Sequence, residues 1–258
     1  MNPSHENRLQ AIVKSLRAGA YDQAATTRGE RSESSPVRFV TISRQAGAGG
    51  KSLGQELAKA VNRLQPGNEQ WYSWDGELVE RVASDHHIRQ ESIQALENAG
   101  HHWFSELIAS LSSSDEAGEF KVFRRVATTI RALADAGNAV IVGRGGVFIT
   151  AGLPEGLHIR LVAPIESRIK RMAERMHVSP EQAAAKVHEI DHNRNAFYRR
   201  YWPHKSLAPE TFALTFNTAE LSESNMVACL LPFLSASISP ALLPESAARW
   251  VHTVPACE

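Results

Sequence analysis

The chain has 258 residues, 43% of them hydrophobic, which is enough for one sizeable α/β domain with appendages. Its 28 basic and 28 acidic residues cancel, arguing against a generally basic nucleic-acid surface while leaving room for a local basic site. Cys229 and Cys257 are too few for a disulfide framework or zinc site, and no run of about 18 apolar residues or secretory-type N-terminus is present, so a cytoplasmic protein with no membrane span is expected.

Residues 1–36 read as a flexible extension. Leu9, Ile12, Val13 and Leu16 suit one short amphipathic helix, and the following YDQAATTRGERSESSP is polar, serine-rich and closed by proline. VRFVTI at 37–42, rich in β-branched and aromatic residues, predicts a strand. Gly47, Ala48, Gly49 and Gly50 follow, and Lys51 and Ser52 then open a helix with Leu53, Leu57, Val61 and Leu64 at helical spacing.

Glycine amides can approach an anion closely, and the positive end of a helix faces the same point. Lys51 offers a charge for phosphates and Ser52 a hydroxyl for Mg²⁺. Two registers on the pattern G-x-x-x-x-G-K-[ST] are open. With Gly50-Lys51-Ser52 as its end, the first glycine falls on Gln45; with Gly47-Ala48-Gly49 as G-x-G, the lysine position falls on Gly50 and Lys51 arrives one residue late. The alternative to a phosphate seat is a tight β–α turn without a ligand.

A short strand at 70–74, a turn at Asp75-Gly76 and a helix from about Glu77 come next, then a polar stretch with a loop at Ser112–Ser114. Val122, Val126, Ile130 and Leu133 mark a helix from about Phe120 that stops at Gly137. AVIV at 139–142, HIRLV at 158–162 and FALTF at 212–216 are further strands. Strands alternating with helices predict a parallel sheet whose ligands gather at the carboxyl ends, where the glycine loop, Asp75 and Arg144 fall.

From Ile165 to Met176, Ile165, Ile169, Met172 and Met176 share one helical stripe and Arg168, Arg171 and Arg175 a second beside it. That arginine row reaches a cleft or forms a solvated basic face. Ser179-Pro180-Glu181-Gln182 has the form of a capping box and starts a helix leading into DHNRNAFYRRYW at 191–202, which taken alone would suit a nucleic-acid patch. The adjacent histidine pairs at 86–87 and 101–102 lack helical metal-ligand spacing and are assigned to surface or packing. From about Ser235 the chain is loose, interrupted by Pro240, Pro244 and Pro255, and its apolar residues offer a dock on the domain or on a protein partner.

ISRQAGAGGKSLG, WDGELVERVA, VIVGRGG, LHIRLVAPIESRIKRM, DHNRNAFYRRYW and FALTFNT, in that order, resemble the bacterial cytidylate kinase-like proteins of the phosphate-loop kinase superfamily over about residues 37–234. The resemblance implies a parallel five-stranded sheet flanked by helices, with a helical lid. It also implies ATP and Mg²⁺ as cofactors, and phosphoryl transfer to a small-molecule nucleotide, CMP or dCMP first. Gly47 to Ser52 would hold the donor phosphates, with Ser52 near the metal and Lys51 countering the phosphate charge. Arg144 matches an arginine that contacts the acceptor nucleotide in authentic cytidylate kinases, with Gly145 where their aspartate would be, and Asp75 lies where the acceptor site begins. Arg168 and Arg171 match basic positions before the lid, and Arg194 a lid arginine near the transferring phosphate. An acceptor phosphate is already a nucleophile, so no general base is expected. The competing expectations are a kinase of a different small-molecule acceptor and a non-catalytic nucleotide-binding regulator whose termini bind a protein partner.

Overall fold

The computed structural model describes residues 37–66, 69–76, 79, 117–153 and 155–234. The expected N-terminal helix, the helix from Glu77, the serine loop, the histidine pairs and the tail from Ser235 lie outside the described residues.

Five strands, β1 (Phe39–Arg44), β2 (Tyr72–Trp74), β3 (Ala139–Val142), β4 (Gly156–Val162) and β5 (Leu214–Asn217), form one sheet in the order β2-β3-β1-β4-β5. Every pairing is parallel; Val40 stands opposite Val140 and Leu157, and Ile42 opposite Val142 and Ile159. The first five residues of β1 are all buried, because a central parallel strand is covered on both faces.

One face is covered by α1 (Gly50–Leu64) and α6 (Glu223–Leu234), which bury Leu53, Leu57, Val61, Met226 and Leu230 against Val40, Ile42, Leu157 and Ile159. Each such leucine or isoleucine contributes roughly 1.5–3 kcal/mol of burial. The other face packs Phe39, Trp74 and Ile141 against Phe123, Ile130 and Leu133 of α2 (Ala117–Ala136) and against the short α3 (Gly146–Ile149). Tyr201 and Trp202, at the end of α5 (Pro180–Tyr201), join that core, with the Phe123 and Tyr201 rings stacked at 3.8 Å.

α4 (Ile165–Met176) and α5 form a helical pair over the glycine loop. Met172, Ala183 and Val187 close a small separate core on Ala46, a residue of the loop itself. The Ser179 capping box is complete, with Gln182 N donating to Ser179 Oγ at 3.3 Å and Ser179 N to Gln182 Oε1 at 3.2 Å.

The five strands and the helices at 50–64, 117–136, 165–176 and 180–201 come in the order the sequence predicts, with shifted ends, whereas α3 and α6 were not predicted. β5 starts later than FALTF because Pro209–Thr211 forms a 3₁₀ turn and Phe212 enters the α2-side core, leaving Leu214 as the first strand residue. Among the described residues no helix is long and apolar enough to cross a membrane, and no group of three or more His, Cys, Asp or Glu could hold a metal ion.

Candidate active site

The glycine loop follows β1 at its carboxyl end, as the strand–glycine–helix order predicts. Gly47 (φ 76°) and Gly49 (φ 82°) are left-handed, a conformation that costs a residue bearing a Cβ about 1–2 kcal/mol. Gly49 is the N-cap of α1 and Gly50 its first residue. The amides of Gly47 and Gly49 have no hydrogen-bond partner among the described residues, and those opening α1 precede any intrahelical acceptor. A side chain on Gly49 would meet nothing nearer than Ser52 Oγ, at 3.8 Å, so it would stand in open space above the loop.

The loop is held from behind. Ala46 N donates to Asp191 Oδ1 at 2.7 Å, and Gln45 bonds Leu161 O through its amide and accepts from Ala163 N at 3.0 Å. Arg168, expected at the transferring phosphate, is buried on this rear side and does not line the cleft. It spends its guanidinium on Asp191 Oδ2 (2.5 Å), Ala163 O (3.0 Å) and Ala46 O (3.3 Å).

In front of the loop lies a cleft of about 860 Å³, a size suited to a nucleotide. Its described lining brings together Arg44, Lys51, Arg144, Arg171, Arg175 and Arg194 with Asp75 as the one carboxylate. Lys51 is half-exposed and pairs with Asp75, Nζ to Oδ2 2.7 Å. Ser52 donates to Gly49 O at 3.1 Å and also contacts the Glu223 carboxylate at the start of α6. Arg171 donates to Thr218 Oγ1 (2.7 Å), to Thr218 O, and to Gly47 O (3.4 Å), so it both lines the cleft and ties the loop to the β5 end. The arginine stripe on α4 is therefore divided between a buried brace and cleft-facing charges.

The acceptor candidates also meet. Gly143, Arg144 and Gly145 have consecutive positive φ angles (81°, 53° and 73°), which the two glycines adopt freely and which strain Arg144 alone at the end of β3. Arg144 is swung over Asp75-Gly76, so close that a Cβ on Gly76 would lie 2.7 Å from its Nε. A Cβ on Gly145 would lie 2.3 Å from the Trp202 ring, so Trp202 holds the space that an aspartate at this position would need.

Electrostatically the cleft is strained by its own charge. Arg194 donates to Arg44 O at 3.1 Å and lies 3.8 Å from Asp191; burial, followed by Arg144 and Arg175, lowers its pKa. Arg44 is lowered to about 10, first by burial and then by Arg194, with Tyr198 opposing, Arg144 lowering it further and Asp75 opposing least. Both stay protonated near neutral pH, so the cleft is a standing positive field in a partly desolvated site. Sequence reasoning missed Arg44, Asn193 and Tyr198 as lining residues; Arg44 lies inside the ISRQ block, and only its position beside the glycines signals it.

Comparisons with known proteins bear on the fold and the family. The chain is similar to a crystal structure of an uncharacterized protein from Eubacterium ventriosum ATCC 27560, with TM-score 0.59 and 18% identity over 78% of this chain and 99% of that one. Shikimate kinases from Bacteroides thetaiotaomicron (TM-score 0.42, 15% identity, 76% and 98% of the chains) and Acinetobacter baumannii (0.40, 16%, 79% and 96%) are more distant likenesses. No curated protein matches in sequence. The model of one family spans residues 39–220, from the first strand through the glycine loop and the paired helices to the end of β5, and by that match the chain belongs to the cytidylate kinase-like family.

Proposed function

We propose that residues 37–234 transfer the terminal phosphoryl group of ATP to a nucleoside monophosphate, CMP or dCMP first. The observation that carries this reading is the left-handed glycine loop opening α1 at the end of the central strand, facing a cleft lined, among the described residues, by six cations and one carboxylate.

Phosphoryl transfer builds charge on the moving group and on the bridging oxygen, so catalysis here is positioning plus electrostatic stabilisation. The amides from Gly47 through Ala48, Gly49 and Gly50 to Lys51 and Ser52 hold the donor phosphates. Lys51, steadied by Asp75, adds charge at the mouth of the loop. The oxygen donors of Ser52 and Glu223 suit Mg²⁺, which when bound would neutralise phosphate charge. Arg144 and Asp75 bind the acceptor, and Arg171 and Arg194 grip the transferring group. Arg168 acts through the loop it holds, as a positioning residue. The acceptor phosphate attacks as an oxyanion, so no side chain has to remove a proton.

A second reading keeps the kinase chemistry and changes the acceptor. It is favoured by the Gly145–Trp202 contact, which leaves no room for a carboxylate beside Arg144. A panel of acceptors incubated with Mg·ATP and followed by product chromatography separates the two. Phosphorylation of CMP or dCMP above all others supports the first, and a different preferred acceptor supports the second. Nucleotide binding with no acceptor phosphorylated would overturn both in favour of a regulatory nucleotide-binding protein.

A further inference from the structure

We infer that Arg44, the last residue of β1, takes the place of the missing loop lysine and binds the terminal phosphates of the donor nucleotide. With Gly49 as N-cap and Gly50 as the first helical residue, the loop follows the register in which the lysine position is Gly50. That position has no side chain, and Arg44 fills its volume. A Cβ on Gly50 would lie 3.0 Å from Arg44 Cγ and 3.2 Å from its Cδ. The guanidinium continues across the end of β3, where a Cβ on Gly143 would lie 1.6 Å from Nη1. Two glycines far apart in sequence thus clear a track for one side chain, and the track runs along the wall of the cleft in front of the loop amides.

The company of Arg44 points to an anion. Among the described residues its side chain makes no hydrogen bond or salt bridge, although it is largely buried and stands among Arg144 and Arg194. A cation kept in such a place without a partner is costly, and a polyphosphate would supply the missing partner. A guanidinium can also grip two phosphate oxygens at once, which a lysine ammonium does as a point charge only. The charge has moved from the first turn of the helix to the end of the preceding strand, and both positions abut the same amides.

This rests on the reading of the cleft as a triphosphate site, and calorimetry keeps the two claims apart. Mg·AMP-PNP is titrated into the wild type, Arg44→Met, Arg44→Lys and the double variant Arg44→Gly with Gly50→Lys, which puts a glycine at the first and a lysine at the seventh position of the ordinary loop pattern and leaves Lys51 at the eighth. Arg44→Met should weaken binding about ten- to hundredfold, the range for losing a charge-assisted contact. Arg44→Lys should fall between it and the wild type, and the double variant should regain most of the loss. Wild-type affinity in folded Arg44→Met overturns the assignment, as does a folded double variant no tighter than Arg44→Met or, if that variant does not fold, than Arg44→Lys. Failure of the wild type itself to bind overturns both claims, whereas binding that depends on Arg44 without phosphorylation of any acceptor overturns only the proposed function.

Discussion

Arg168 and Arg44 both bury a guanidinium beside the glycine loop, one behind it and one in the cleft before it. Arg168 is matched by Asp191 and two backbone carbonyls, and its role can be completed within the protein. Arg44, with Arg194 and Arg144 nearby, sits where burial and like charge both work against it. The contrast separates scaffold from site in a protein whose arginines face both sides of the loop. A cation whose partners are internal supports the fold, and one held against its own electrostatics is prepared for a ligand.

Substitutions on the two sides should fail in different ways, and the largest effect is expected behind the loop. Arg168→Ala takes the nearest cation from the partly buried Asp191 carboxylate, which keeps Ala46 N and the more distant Arg194, and also opens the bonds to Ala163 O and Ala46 O, so it should lower stability by about 3–5 kcal/mol in denaturant titration. A loss below about 1 kcal/mol would place Arg168 among the ordinary surface pairs.

In front of the loop, Arg194→Ala should lower kcat about 10²- to 10³-fold while the melting temperature barely moves, because its charge is used during transfer. Normal turnover with a lowered melting temperature would reverse the assignment. Arg171→Ala should show both losses, since Arg171 lines the cleft and also holds Thr218.

His158, inside the sheet, separates the regions by pH. Burial lowers its pKa to about 4 from an ordinary 6.5. The unfolded chain therefore takes up this proton before the native state does. Its contribution is complete above about pH 6.5 and is lost as pH falls toward about 4, on the order of 3 kcal/mol. His158→Gln should flatten the stability profile in that window. Arg44 and Arg194 keep their charge throughout it, so they add no step to that stability profile.

The smallest effect is expected at Arg144. Arg144→Ala should raise the acceptor KM about tenfold with the ATP KM nearly unchanged, as loss of one charge-assisted contact implies. An equal rise in both would move Arg144 from the acceptor to the shared phosphate site.

The segments with strong periodicity were legible in the sequence. VRFVTI, the glycines and the Leu53–Leu57–Val61 stripe lead directly to β1, the loop and α1, because each depends on local spacing. The α3 turn at 146–149 was not, since it is set by left-handed Gly145 and by contacts with α2 rather than by any pattern of its own. Spacing also placed Arg168 and Arg171 on one side of α4. Only the approach of Asp191 from α5 turns the first into a brace. Arg44 was silent for a related reason: its path depends on the absent side chains of Gly50 and Gly143, a relation created by the sheet.

The most direct test of the central claim, that the front of the loop is a nucleotide phosphate site, is calorimetric titration of Mg·ATP into the wild type and Gly49→Val. The valine would stand in the open space above the loop amides. The wild type should bind and the variant should lose binding while still melting cooperatively, whereas undiminished ATP affinity in folded Gly49→Val would show that the phosphates lie elsewhere.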